Sequence, residues 1–188
     1  MTSERHPNIL DPARAVLLIV DVQEAFRTII PEAEGLAQRI ARLARGMQIL
    51  GVPVLVTEQY PRGLGTTVHE ITEALNADTF KVEKTAFSSC GAASFAEHLD
   101  GLGRDQVVVC GIEAHICVNQ TTHDLLHGGR QVHLAVDCIS SRVEGNRRVA
   151  LRKMQSSGAL ITTTEMAFFE LMRDARHEHF KAVQALIK

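Results

Sequence analysis

The sequence predicts an α/β fold, a three-layer α/β/α sandwich around a six-stranded parallel sheet, doubly wound in the Rossmann-like manner. Three observations carry this. Short apolar runs of strand length recur along the chain, and stretches with helical apolar spacing separate them. The runs "AVLLIVDV" and "VPVLVT" lack the alternation of a half-exposed strand, which marks strands buried on both faces. Strands alternating with helices give a parallel sheet covered on both sides, and right-handed crossovers wind it.

In order, "AVLLIVDV" (15–22) is the first strand. "EAEGLAQRIARLARGMQILG" follows, with Leu36, Ile40, Leu43, Met47 and Leu50 at helical spacing. "VPVLVT" (52–57) is the second strand. "TTVHEITEAL" reads as a short helix with Val68, Ile71 and Leu75 on one face, and "DTFKVEK" as the third strand. "GAASFAEHLDGLG" is helical and ends on glycines. "QVVVCG" is the fourth strand, followed by a helix through "CVNQTTHDLLHGG". "QVHLAVDC" is the fifth strand, "NRRVALRKMQSSG" a helix stopped by Gly158, and "ALITTT" the sixth strand. "EMAFFELM" and "HEHFKAVQALIK" are terminal helices.

Composition limits what such a chain does. Its 188 residues suit one domain over 1–188, and 45% hydrophobic residues suffice for a sizeable core. Lys and Arg number 20 against 22 Asp and Glu, so no basic excess points to nucleic acid or an anionic membrane. No apolar run reaches the roughly 18 residues of a membrane span. "MTSERHPNILDP" lacks the apolar stretch of a signal peptide, and residues 1–12 are read as a loose N-terminal tail. Cys90, Cys110, Cys117 and Cys138 form no CxxC pair, as expected of reduced thiols. A cytoplasmic location is the expectation from the missing signals and this cysteine usage.

Ligands of doubly wound sheets bind at the carboxyl ends of the strands. Strand one ends at Asp21, which could cap a following turn or act as a general base. Strand three leads to Lys84, either a solvated surface residue or a cation that stabilises an anion in the cleft. Strand four leads to Cys117. A helix beginning near residue 116 would place this thiol in its first turn, where unpaired amides and the helix dipole favour an anion. With a Lys nearby, the thiol is then expected below its ordinary pKa of about 8.5. The other reading of a Cys here is a small core hydrophobe. Asp, Lys and Cys at three strand ends make a possible base, cation and nucleophile.

At this point the chain resembles a known family. "LLIVDVQEAF", "FKVEKTAFSS" and "VVVCGIEAHICVNQTTHDLLHGGRQVHLAVDCISSR" are similar to the three signature segments of the isochorismatase-like, or cysteine, hydrolases, and the likeness covers nearly all of residues 14–172. "VTEQYPRGLGTTVHEI" and "TTTEMAFFELMRDARHEHFKAVQALI" resemble the branch of isochorismatase-domain-containing proteins, hydrolases of unsettled substrate. The resemblance implies that Asp21, Lys84 and Cys117 form a catalytic triad. It implies a non-proline cis bond at Ile112–Glu113 and an oxyanion hole from the backbone N–H groups of Glu113 and Cys117. Phe26 matches an aromatic that lines the pocket in amidase members, and Gln23 a supporting Gln. Tyr60, Gln59 and His115 are further candidates for the pocket wall. Tyr60 could equally be loop packing, and His115 a helix-start residue.

Departures from the pattern narrow the expectation. Isochorismatase itself lacks the nucleophilic Cys, so this chain looks more like the amidase side. Nicotinamidases and pyrazinamidases carry an Asp-x-His metal pattern after the second strand, whereas this chain offers Glu58 and His69 there. No catalytic metal and no cofactor are expected. The expected reaction is hydrolysis of a small-molecule amide through a thioester. The alternatives are isochorismatase-type ether hydrolysis without the thiol, and a non-catalytic or thiol redox role. Family resemblance also implies a homo-oligomer. His123 and His127 lie four apart but lack the Glu of HExxH and read as a half-buried helix face.

Overall fold

Residues 5–188 are described by a computed structural model. Six strands form one sheet: β1 (Ala15–Val20), β2 (Val54–Gln59), β3 (Phe80–Lys84), β4 (Gln106–Gly111), β5 (Gln131–Ile139) and β6 (Leu160–Thr162). Their order is β3-β2-β1-β4-β5-β6 and every pairing is parallel. The expected six-stranded, doubly wound sheet is present. Its order reverses between β1 and β4, so the ligand crevice of such sheets opens there.

The helices are α1 (Ala33–Ile49), α2 (Pro61–Leu64), α3 (His69–Thr72), α4 (Ala93–Gly101), α5 (Asn119–His127), α6 (Glu144–Ser156), α7 (Thr164–Met172) and α8 (Phe180–Ile187). Period-two alternation in β1 sends Leu17 and Ile19 to one face and Val16, Leu18 and Val20 to the other. On the first face they meet Leu36, Ile40, Leu43 and Met47 of α1, Phe168 and Leu171 of α7, and Val183 of α8. Across the sheet they meet Phe95 and Leu99 of α4, Leu125 of α5 and Met154 of α6. All of β1 is buried, which explains its unbroken apolar run.

Some boundaries differ from the sequence reading. The helix expected over 66–75 shrinks to α3, because the residues before it serve the loop. Val68 N–H donates to the Val22 carbonyl at 3.0 Å, and Gln23 bridges Thr67. A short turn, α2, starts at Pro61, whose fixed φ suits a first helical position. The expected loose tail over 1–12 is corrected for residues 5–12. Leu10 is fully buried, its N–H donates to Glu170 Oε2 at 3.0 Å, and Asp11 N–H donates to Gln106 Oε1 at 2.8 Å. Residues 1–4 of that expectation lie outside the described residues.

Two features of the sheet set up its carboxyl end. Gly111 closes β4 at φ +116°, where a Cβ would lie 2.1 Å from the Val20 carbonyl oxygen. Only glycine lets β4 approach β1 this closely. In β5, the register against β4 runs from Val109↔Leu134 to Gly111↔Ile139, so extra residues bulge between. Arg147 donates to the Val136 and Ile139 carbonyls at 2.6 and 2.7 Å, and Arg39 to Asp137 O at 2.8 Å. The segment after the bulge then reaches the turn beyond β4. Ala114 N–H donates to Ser140 O at 2.8 Å, and Arg142 N–H to Glu113 Oε2 at 2.9 Å.

Candidate active site

Asp21 follows β1 in a left-handed conformation, φ 54°, unusual for a residue with a side chain. Its N–H donates to Thr57 O at 3.1 Å. The Thr57 hydroxyl donates to Asp21 Oδ1 at 2.7 Å, so both ends of the residue are held by one threonine of β2. Lys84 closes β3 and reaches past the end of β2 to donate to Asp21 Oδ2 at 2.6 Å. The two side chains are 0% and 1% exposed. A buried charge survives only when paired and hydrogen-bonded, and Lys84 Nζ also lies 2.8 Å from Gln59 Oε1, 3.0 Å from Phe87 O and 3.2 Å from Ala86 O.

Cys117 lies in a π-helical turn, Ala114–Val118, ahead of α5 rather than in the first turn of an α-helix. The expected lowering of its pKa is corrected. Burial, and next the charge of the nearby Asp21 carboxylate, push the thiol up to about 12, while the Lys84 charge pulls the other way. At rest the thiol therefore keeps its proton, with the Asp21 carboxylate beside it.

The Ile112–Glu113 peptide bond is cis, as the resemblance implied. Among the described residues, the Glu113 N–H meets no acceptor. The Glu113 carbonyl accepts from Ile116 N at 3.0 Å and Val118 N at 3.3 Å, passing over the Cys117 amide between them.

The remaining candidates are placed differently. Gln59 bonds Lys84, and its Nε2 donates to Thr85 O at 2.8 Å, so it braces the lysine. Gln23 is fully buried; its Nε2 donates to Gln59 O at 2.9 Å and Gly65 O at 2.7 Å. Tyr60 is half-exposed and, with Pro61, Arg62, Thr85 and Ala86, lines a cleft of about 450 Å³ at the ends of β2 and β3 that reaches Lys84. Phe26 packs against the core beside a small cavity lined by Val22, Ile30 and Ile112. His115 Nδ1 lies 3.1 Å from Ser141 Oγ, linking the Cys117 turn to the segment after β5. Thr57 escaped the sequence reading. The only sign of it was a hydroxyl residue closing the apolar run "VPVLVT".

Glu58 and His69, the residues offered where relatives hold a metal, are not assembled. Glu58 accepts from the Thr67 amide and hydroxyl, and His69 lies beside Arg27 and Glu70. Among the described residues, no three His, Cys, Asp or Glu side chains gather to hold an ion. His123 bonds Asn119 O and Ser157 Oγ, fastening α5 to the end of α6. All four cysteines are free thiols. No helix among the described residues is long and apolar enough to cross a membrane.

This sheet order, with a cysteine after β4 facing an Asp–Lys pair, defines the isochorismatase-like hydrolase fold. The chain belongs to the isochorismatase family: the family's domain model matches residues 15–166. Isochorismatase domain-containing protein 2A of Mus musculus is 44% identical over 182 residues, covering 94% of this chain and 84% of the relative. The human isochorismatase domain-containing protein 2 is 44% identical with the same coverage. Among solved structures, "MAR1 Ribonuclease from Caenorhabditis elegans" superposes with a TM-score of 0.91 at 39% identity, over 95% of this chain and 92% of that one. The octameric hydrolase YcaC of Escherichia coli shares the fold, with a TM-score of 0.86 at 20% identity over 98% and 97% of the two chains.

Proposed function

We propose that this chain hydrolyses a small amide through a Cys117 thioester. The observation that carries the reading is the buried Asp21–Lys84 ion pair beside a thiol that keeps its proton at rest. When a substrate carbonyl enters, Asp21 takes the Cys117 proton and the sulfur attacks the carbonyl carbon. The carbonyl oxygen becomes an oxyanion and accepts from the Glu113 and Cys117 amides. Each such donor is worth about 10²–10³ in rate. As the oxyanion collapses, the C–N bond breaks and Asp21 returns its proton to the leaving nitrogen. Water, deprotonated by Asp21, then cleaves the thioester and restores the thiol. Lys84 balances the carboxylate's charge throughout.

A panel of small primary amides tests this by ammonia release. Turnover is expected, with Asp21→Asn and Cys117→Ala each lowering it by about 10³ or more. Undiminished turnover in Cys117→Ala would favour thiol-independent hydrolysis of the isochorismatase type. The name of the Caenorhabditis elegans relative raises RNA cleavage as a second reading. Against it stand a net charge of −2 and a triad sunk beneath the surface, poor provisions for gripping phosphates. RNA degradation lost in Cys117→Ala would establish it instead. We also propose a homo-oligomer, which light scattering on the purified chain would reveal.

A further inference from the structure

We propose that Thr57 is the positioning residue of the Asp21 base, fixing the carboxylate and setting how strongly it draws the Cys117 proton. This rests on the reading of Asp21 as the acceptor of that proton. Thr57 grips Asp21 twice, accepting its N–H at 3.1 Å and donating its hydroxyl to Oδ1 at 2.7 Å. The double grip holds a non-glycine residue at φ 54°, a conformation that costs energy unless its surroundings impose it. Thr57 is fully buried, so no water replaces its hydroxyl as a donor.

Each carboxylate oxygen accepts about two hydrogen bonds. On Asp21, Oδ1 takes the Thr57 hydroxyl and Oδ2 takes Lys84 Nζ. One accepting position per oxygen is left, and the Cys117 thiol lies close enough to feel the carboxylate's charge. The charged or ionisable groups around Asp21 are Lys84 from β3 and Cys117 from the π-helical turn, with Glu113 beyond the thiol. Thr57 adds a neutral donor from β2. A hydrogen bond given to a carboxylate spreads its charge and weakens its pull on any other proton. Without the hydroxyl, Asp21 should accept a stronger hydrogen bond from the protonated Cys117 thiol, and solvent base should strip that proton less readily.

The test reads thiolate formation directly and needs no substrate. Iodoacetamide labelling is followed at pH 9 by peptide mass in the wild type, Thr57→Val, Thr57→Ser and Asp21→Asn, with Cys90 as internal reference. Labelling of Cys117 in Thr57→Val is expected to slow by about three- to tenfold, a shift of up to about one pKa unit. Thr57→Ser keeps the hydroxyl and should stay near the wild-type rate. Cys90 should not change, and Asp21→Asn should speed Cys117 by removing the carboxylate. An unchanged or faster rate in Thr57→Val overturns the proposal. If Asp21→Asn speeds labelling and Thr57→Val does not slow it, only the role of Thr57 falls. If Asp21→Asn leaves the rate unchanged, the carboxylate does not act on the thiol, and both readings fall. Should Thr57→Val fail to fold by circular dichroism, Thr57→Ala supplies the hydroxyl-free partner to Thr57→Ser.

Discussion

Replacing Lys84 by Met probes the buried ion pair that organises the site. The partners lie 2.6 Å apart with side chains 0% and 1% exposed. At an effective dielectric constant of about 20, the gross attraction at that distance is about 6 kcal/mol. Much of it is offset by stripping water from both charges, so the net worth of the pair is small. Losing one partner is a different matter. Met fills the volume but leaves Asp21 buried with only the Thr57 hydroxyl as a side-chain donor. Orphaning a buried charge costs about 3–5 kcal/mol. Adding Asp21→Asn removes that charge and should return about 2 kcal/mol or more. The assay is urea unfolding of the wild type, both single variants and the double variant at pH 7. Strictly additive losses, or a cost below about 1 kcal/mol for Lys84→Met, would refute the reasoning, because a structural pair must couple.

Other parts of the molecule give equally direct expectations. Gly111→Ala puts a Cβ against the Val20 backbone at 2.1 Å and at φ +116°, so it should cost at least about 3 kcal/mol in chemical denaturation or prevent folding. His133 is held neutral in β5, its pKa lowered from 6.5 to about 4, chiefly by burial and then by the Arg14 charge. Between those values the unfolded chain binds the extra proton, so stability falls as pH drops from about 6.5 towards 4. The loss is at most about 3 kcal/mol, and His133→Gln should flatten that stretch of a pH–stability curve.

Much of this was legible in the sequence because burial on both faces writes itself as unbroken apolar runs. β1 and β2 are such runs, and the rule that sites gather at strand ends led to Asp21, Lys84 and Cys117. What stayed hidden depends on distances between elements. Cys117 was expected to be acidified by a helix start. A π-helical turn stands there instead, and burial with a facing carboxylate dominates its proton affinity. Gln59 looked like a pocket residue, yet its side chain spans from Lys84 to Thr85. The tail was read as loose because its composition is polar. Its Leu10 and Asp11 are tied down by Glu170 and Gln106, partners 160 and 95 residues away, which no local pattern announces.

Mass spectrometry of the acid-quenched chain during amide turnover tests the central claim most directly. The expected result is a Cys117 peptide heavier by the substrate's acyl group, accumulating within the first turnovers and absent in Cys117→Ala. Steady amide turnover with Cys117 unmodified at every quench time, and undiminished in Cys117→Ala, would contradict the covalent mechanism.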